Sequence, residues 1–127
     1  MVELGSVTPV LRSFDEARTR AFYCGFLGFD LLFEHRFEPD LPLYMIMARE
    51  GCVLHLSEHY GDATPGSAIR VAVDDVAAYA RQLREKRFEN ARPGAPVETE
   101  WHSLEMTIID PAGNRLIFHS DLPEARA

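Results

Sequence analysis

The sequence predicts an α+β fold in which tandem βαβββ modules form one curved mixed sheet around a cleft, with the helices outside. The order of elements repeats after about 60 residues. The whole chain of 127 residues suits one compact domain. Each half alone is too small to cover its own sheet, so the two halves should share a core. We therefore expect a single domain, 1–127, made of modules at about residues 5–60 and 66–121.

The first module begins with a short β-prone run, Val7–Arg12, and continues with a helix. The helix N-cap is either Ser13, in a capping box with Glu16, or Asp15, and Gly28 ends the helix. Its apolar face consists of Ala17, Ala21, Phe22, Cys24 and Phe26. Three β-like runs separated by turn-forming residues follow, at Phe29–Phe37, Leu43–Arg49 and Cys52–His59.

The second module repeats this order. Ala68–Val73 alternates as a strand, and Asp74 and Asp75 provide the cap of a second helix. The apolar positions of that helix recur at helical spacing, at Val76, Tyr79, Ala80 and Leu83. A strand near Glu89–Arg92 and a Pro/Gly linker precede a hairpin, whose strands and turn are Leu104–Ile109, Asp110–Asn114 and Leu116–His119.

Alternation with a period of two assigns the strand residues to two faces of the sheet. The core face should carry Leu54, Leu56, Ile69, Val71, Val73, Met106, Ile108, Leu116 and Phe118. The cleft face should carry Val53, His55, Ser57, His59, Ala68, Arg70, Ala72, Glu105, Thr107, Arg115, Ile117 and His119. The cleft face therefore holds the polar side chains that are candidates for function.

Charge and targeting signals exclude several classes of function. The chain has 13 Lys+Arg and 20 Asp+Glu, a net charge of −7, which argues against nucleic-acid binding because that binding depends on basic residues. There is neither a signal peptide nor an apolar run of about 18 residues, so we expect a cytoplasmic protein without a membrane partner. Cys24 and Cys52 are then interpreted as reduced, small apolar residues.

Three motifs resemble the vicinal oxygen chelate superfamily, which contains glyoxalases, bleomycin-resistance proteins and dioxygenases. They are Asp15 followed by Ala21-Phe22-Tyr23 and Leu27-Gly28-Phe29, then Val73-Asp74-Asp75-Val76, and finally Asp110-Pro111-Ala112-Gly113-Asn114-Arg115-Leu116. The resemblance covers nearly the whole chain. It implies paired βαβββ modules and a homodimer, with a site between modules or at the subunit junction.

The metal-ligand positions that the resemblance implies are mostly lost. They hold Thr8, His55, Ala68 and Ile117, of which only His55 is a good metal ligand, and a catalytic site needs about three. We therefore expect no cofactor and no catalytic residue, and the loss of three of the four ligand positions favours a protein that is not an enzyme. The alternative is a metal-dependent lyase, isomerase or dioxygenase with an atypical ligand set around His55, recruiting His102, His119 or Glu105.

Loss of the metal ligands makes the chain most similar to the bleomycin-resistance branch, which implies antibiotic resistance through binding of a bleomycin-type glycopeptide without chemistry. Such a large, cationic, flat-ringed ligand needs aromatic faces and negative potential. The candidate ligand-binding residues are Trp101, His55, Phe33, Phe37, Glu105 and Arg115. Phe33 and Phe37 could instead pack in the core, and Trp101 could be a surface anchor. Arg12, Arg70 and Arg115, all expected in the cleft, favour an anionic ligand instead.

Overall fold

The computed structural model describes residues 1–89, 91 and 93–122. The N-terminal module contains β1 (Val10–Arg12), α1 (Glu16–Arg20), a π-helical segment (Ala21–Phe26), β2 (Asp30–His35), β3 (Tyr44–Arg49) and β4 (Cys52–Ser57). The C-terminal module contains β5 (Ala68–Ala72), α2 (Val76–Glu85), β6 (Val97–Glu98), β7 (Ser103–Ile109) and β8 (Arg115–Asp121). Within these residues, no helix has the length and apolar character needed to cross a membrane.

The predicted α+β class is confirmed, but the sheet is divided between the modules. The first sheet has the strand order β1-β4-β3-β2 and the second has the order β5-β8-β7-β6. In each sheet the first strand runs parallel to its neighbour and the other strand pairs are antiparallel. A cavity of about 880 Å³ lies beside β5 and is also lined by Val7 and Pro9, which precede β1. No described strand of one sheet pairs with a strand of the other, so the structure has two four-stranded sheets where we expected one.

The helical regions of the two modules contact each other across one shared core. Tyr79 of α2 donates a hydrogen bond to the Leu27 carbonyl at 2.8 Å. Lys86 donates to the Phe26 carbonyl at 2.7 Å, and the rings of Phe26 and Phe88 stack at 4.9 Å. Both modules contribute to the same cluster of buried apolar residues. Helix packing therefore joins the two halves of the chain.

The π-helical segment changes which residues of the first helix are buried. Its hydrogen bond from Leu27 N to the Phe22 carbonyl spans five residues instead of four. In this segment Tyr23 is fully buried, whereas Ala21 and the preceding Ala17 are exposed. Thr19 is also buried, and its hydroxyl donates to the Asp15 carbonyl. The expected apolar face, with Ala17 and Ala21 buried, was therefore wrong at those positions.

Most elements lie where the sequence predicts them. Asp15 caps α1 by accepting from Arg18 N, and Asp75 caps α2 by accepting from Ala78 N. The four apolar positions predicted for α2 are buried. The strand expected near Glu89–Arg92 falls partly outside the described residues, and the strand that pairs with β7 is Val97–Glu98.

The alternating faces of the strands are confirmed, with one exception at an edge. The expected core residues of β4, β7 and β8 are at most 4% exposed, namely Leu54, Leu56, Met106, Ile108, Leu116 and Phe118. Ile69, Val71 and Val73 are only half-buried, because they line the cavity beside the edge strand β5.

The Asp110–Asn114 turn makes hydrogen bonds that join the C-terminal module to the N-terminal module. The buried carboxylate of Asp110 accepts hydrogen bonds from the Tyr23 hydroxyl (2.6 Å), from Ala112 N (2.9 Å) and from both the backbone and side-chain nitrogens of Asn114 (2.8 and 2.9 Å). Asn114 also donates to the Arg12 carbonyl at the end of β1. This motif therefore serves the packing of the modules.

Candidate ligand-binding site

The outer face of the first sheet is rich in aromatic side chains. Strand pairing places residues in two rows across the sheet, and the intervening residues of β3 and β4 are buried in the core. One row is Phe33, Ile46, His55 and Val10. The next row is His35, Tyr44, Ser57 and Arg12. Four strands therefore present their functional side chains on one surface, which we call the aromatic face.

A cavity of about 560 Å³ lies on the aromatic face and is lined by Phe33, His35, Phe37, Tyr44, His59 and Asp62. The side chains of Phe33 and Phe37 are 51% and 73% exposed, so neither packs in the core. The His35 ring lies between them, with its centroid 6.3 Å from that of Phe33 and 4.6 Å from that of Phe37. Two of the residues predicted from the sequence are therefore brought together against one open cavity.

His55 lies on the same face and is hydrogen-bonded to Tyr44. The Tyr44 hydroxyl is 2.6 Å from Nδ1 of His55, and the two rings meet edge to face at 5.4 Å. Burial, together with the charge of Asp62, raises the pKa of Tyr44 above its ordinary value. Tyr44 therefore stays a neutral phenol at physiological pH.

Arg12 lies at the edge of the aromatic face, as its place on β1 predicts. Its guanidinium carbon lies 4.8 Å from the centre of the Phe14 ring and 6.0 Å from that of Tyr60. Its Nε is buried and has no hydrogen-bond partner among the described residues. Cation–π contacts with the exposed rings of Phe14 and Tyr60 therefore position the Arg12 side chain, and they take the role that an acidic partner would otherwise have.

The outer face of the second sheet carries Trp101, Glu105 and Arg70. Trp101 is in the turn between β6 and β7 and is 62% exposed. Its indole Nε1 donates to Oε2 of Glu105 at 3.2 Å, and Arg70 donates to the same oxygen at 2.7 Å. The hydrogen bond from Arg70 is the main cause that holds the pKa of Glu105 below its ordinary value. Glu105 therefore orients the indole, while Arg70 is already paired within the protein.

We expect the acid titration of Trp101 fluorescence to report this arrangement. The Glu105 pKa is lowered in the folded protein, so its contacts persist above that pKa and are lost as the pH falls through it. The emission of wild type should change only below the usual glutamate range. In Arg70→Gln the midpoint should rise, and in Glu105→Gln the transition should disappear. An equal midpoint in wild type and Arg70→Gln would show that Arg70 does not set the state of Glu105.

The structure does not bring all six predicted residues together. Arg115 lies at the start of β8, opposite Ile109, whereas Glu105 pairs with His119, four residues further along that strand. Four residues of a strand span about 13 Å, which places Arg115 beyond the Trp101 contacts. Neither of the two cavities is lined by Trp101, Glu105 or Arg115. The candidate residues therefore form one group on the first sheet and a second, of Trp101 and Glu105, on the other sheet, while Arg115 lies apart from both.

The family's metal-ligand positions are spread over three strands and one unpaired segment. Thr8 precedes β1, while His55, Ala68 and Ile117 lie on β4, β5 and β8. In the described part of the chain, no three histidine, cysteine or acidic side chains are close enough to hold a metal ion.

The thiols of Cys24 and Cys52 are free, and burial raises the pKa of both. Neither cysteine is therefore an activated nucleophile.

Sequence reasoning missed Tyr44 and His35 as members of the aromatic face. The available signal was the period-two alternation of β2 and β3, which places them on the same side as Phe33 and Ile46. It also missed Phe14 and Tyr60, which lie outside the strands and are brought to Arg12 only by the fold.

Solved structures similar to this one include several antibiotic-binding proteins. The antibiotic-binding protein TnmS3 from Streptomyces sp. CB03234 has a TM-score of 0.76 at 22% identity, with 95% of this chain and 99% of that chain covered. A bleomycin-binding protein complexed with bleomycin has a TM-score of 0.71 at 26% identity, covering 93% of this chain and 99% of that one. The bleomycin-binding protein of Streptomyces verticillus, complexed with copper(II)-bleomycin, has a TM-score of 0.71 at 25% identity, covering 93% and 97%.

Sequence comparison gives the family directly. No curated protein sequence matches the chain significantly. A family model described as "Glyoxalase superfamily protein" matches residues 1–123. This match and the structural neighbours confirm the resemblance to the superfamily of glyoxalases and bleomycin-resistance proteins, near the bleomycin-resistance branch. The chain belongs to the glyoxalase superfamily.

Proposed function

We propose that the protein binds a flat-ringed, cationic antibiotic of the bleomycin type and sequesters it in the cytosol without chemical conversion. The observation that carries this proposal is the pair of exposed aromatic surfaces, with Phe33 and Phe37 on one sheet and Trp101 on the other. Exposed aromatic rings on rigid strands offer stacking surfaces for planar ligand groups. The structural neighbours that bind bleomycin support the same class of ligand.

The charge distribution supports a cationic ligand. Asp62 lines the cavity on the aromatic face, and Glu98 and Glu100 both precede Trp101 in the sequence. Arg70, which we expected to favour an anion, is neutralised by its ion pair with Glu105 at 2.7 Å. The chain as a whole has a net charge of −7. A positively charged ligand would therefore be attracted by the net charge of the protein at long range and by the acidic residues at the site.

We further propose that the binding protein is a homodimer, in which the aromatic face of one copy lies opposite the second sheet of its partner. The two groups of candidate residues lie on different sheets and carry large exposed apolar side chains. These include Phe33, Phe37, Val97, Trp101 and Ile109. Exposed apolar patches of this kind mark interaction surfaces. Pairing two copies would enclose a planar ligand between aromatic side chains from both.

Titration with bleomycin, followed by tryptophan fluorescence, tests the proposal. Trp101 is the only tryptophan in the chain, so its emission reports the second sheet without interference. We expect a saturable quench or wavelength shift at micromolar or lower ligand concentration. The control is Trp101→Phe, which keeps an aromatic ring at this position but has no tryptophan fluorescence. Its binding of bleomycin is therefore followed by calorimetry. An unchanged emission up to high micromolar bleomycin or phleomycin would refute the assignment of the ligand.

A further inference from the structure

The hydrogen bond between Tyr44 and His55 has a direction that determines what His55 offers to a ligand. The Tyr44 hydroxyl lies 2.6 Å from Nδ1 of His55. A phenol O–H is a better donor than an imidazole N–H, and an imidazole nitrogen is a better acceptor than a phenol oxygen, which favours donation from the Tyr44 hydroxyl to Nδ1. Because a neutral imidazole has one protonated nitrogen, the proton then resides on Nε2.

The opposite edge of the His55 ring is free to bind another group. Among the described residues, no hydrogen bond to Nε2 is present, and this atom is not one of the buried unpartnered ones. The strand neighbours of His55 on the same face are Val10 and Ile46, which offer no competing polar side chain. The Nε2–H group therefore meets no competing polar side chain from the neighbouring strands, and His55 shares its row of the aromatic face with Phe33 and its hydrogen bond with Tyr44, which lines the cavity.

The same geometry is unlike that of a metal-binding histidine. A histidine that binds a metal through Nε2 normally donates its Nδ1–H to an acceptor behind it. Here the group behind Nδ1 is the Tyr44 hydroxyl, 2.6 Å away, and not a carbonyl or carboxylate acceptor. A phenol that donates to Nδ1 stabilises the tautomer with Nε2 protonated, whose lone pair is unavailable to a metal.

We propose that Tyr44 is a positioning residue that holds His55 in the Nε2–H tautomer, so that His55 recognises a hydrogen-bond acceptor on the ligand. The acceptor is a heteroaromatic nitrogen or a carbonyl oxygen attached to the planar group that stacks on Phe33 and Phe37. The inference rests on the proposed function for its ligand, whereas the tautomer is a property of the free protein. Its failure can therefore be separated from failure of the antibiotic assignment.

Nitrogen NMR of histidine-labelled protein tests the tautomer, because the chemical shifts of Nδ1 and Nε2 report which nitrogen carries the proton. His55 is assigned by the loss of its signals in His55→Gln. In wild type we expect an unprotonated, downfield Nδ1 and a protonated Nε2. In Tyr44→Phe, which keeps the ring but removes the hydroxyl, the two nitrogen shifts should move toward each other. A wild-type His55 protonated on Nδ1, or shifts unchanged in Tyr44→Phe, would overturn the inference.

Bleomycin then tests the donor role. Saturating ligand should shift the His55 Nε2 resonance, and Tyr44→Phe should weaken binding about 3- to 10-fold, as expected for one hydrogen bond. If bleomycin quenches Trp101 but leaves Nε2 unshifted, the donor role is refuted and the proposed function stands. If bleomycin does not bind while Tyr44→Phe alters the His55 tautomer, the proposed function fails. Benzamide, a planar ring with a carbonyl acceptor, then replaces bleomycin as the probe. An unshifted His55 Nε2 resonance at saturating benzamide would refute the donor role.

Discussion

Replacement of Asp110 by alanine is expected to lower the free energy of unfolding by about 3–5 kcal/mol, because it leaves several buried donors without an acceptor. Those donors are the Tyr23 hydroxyl, the backbone N–H groups of Ala112 and Asn114, and the Asn114 side chain. An unsatisfied buried donor costs about 1–3 kcal/mol, and Ala112 N can recover part of this from water since Ala112 is only half-buried. Urea denaturation measures the loss.

Asp121→Ala provides the matched control for this prediction. Asp121 is an exposed carboxylate at the end of β8, and a surface substitution of this kind usually changes stability by about 0.5 kcal/mol or less. Tyr23→Phe removes one of the donors together with its bond and should cost about 1 kcal/mol. If Asp110→Ala and Asp121→Ala unfold at the same urea concentration, the turn does not fasten the two modules.

Alanine at Phe33 or at Trp101 is expected to weaken bleomycin binding about 30-fold or more, equivalent to about 2 kcal/mol, as for central aromatic residues of an interface. Both side chains are more than half exposed in the free protein, so their truncation should leave folding intact. Calorimetry gives the dissociation constants, since Trp101→Ala has no tryptophan fluorescence.

Leu32→Ala is the control for Phe33→Ala. Leu32 is the neighbour of Phe33 on β2 and is 62% exposed, but it does not line the cavity on the aromatic face. We expect its dissociation constant to match that of wild type. Equal weakening by Leu32→Ala and Phe33→Ala would show that the loss comes from strand β2 as a whole and not from stacking.

Features that depend on local periodicity could be predicted from the sequence. The outward positions of His55 on β4 and of Glu105 on β7 follow from alternation alone, because each strand has one face in the core. The chemistry of helix N-termini narrowed the caps to Ser13 or Asp15 and to Asp74 or Asp75, and the structure selects Asp15 and Asp75. These features need no knowledge of how the modules pack.

Features that depend on contacts between modules could not be predicted in this way. The π-helical segment brings Tyr23 to Asp110, 87 residues away in the sequence, and its extra residue per turn is invisible to a helical period of 3.6. The cavity that separates β5 from the start of the chain likewise depends on tertiary packing. Trp101 was identified from its loop, but its bond to Glu105 needs the positions of both strands and the turn.

We propose that the binding site combines the aromatic face of one copy with Trp101 of another. It is tested by co-expressing Phe33→Ala and Trp101→Ala chains with different affinity tags and purifying the mixed dimer. One of its two sites then has Phe33 from the Trp101→Ala chain and Trp101 from the Phe33→Ala chain, so it is intact, whereas the other lacks both rings.

Calorimetric titration of that mixed dimer with bleomycin is the decisive measurement. The account predicts one site per dimer with the affinity of wild type, while each variant alone binds about 30-fold more weakly or worse. A mixed dimer that binds no better than the separate variants, or chains that do not form a mixed dimer, would contradict it.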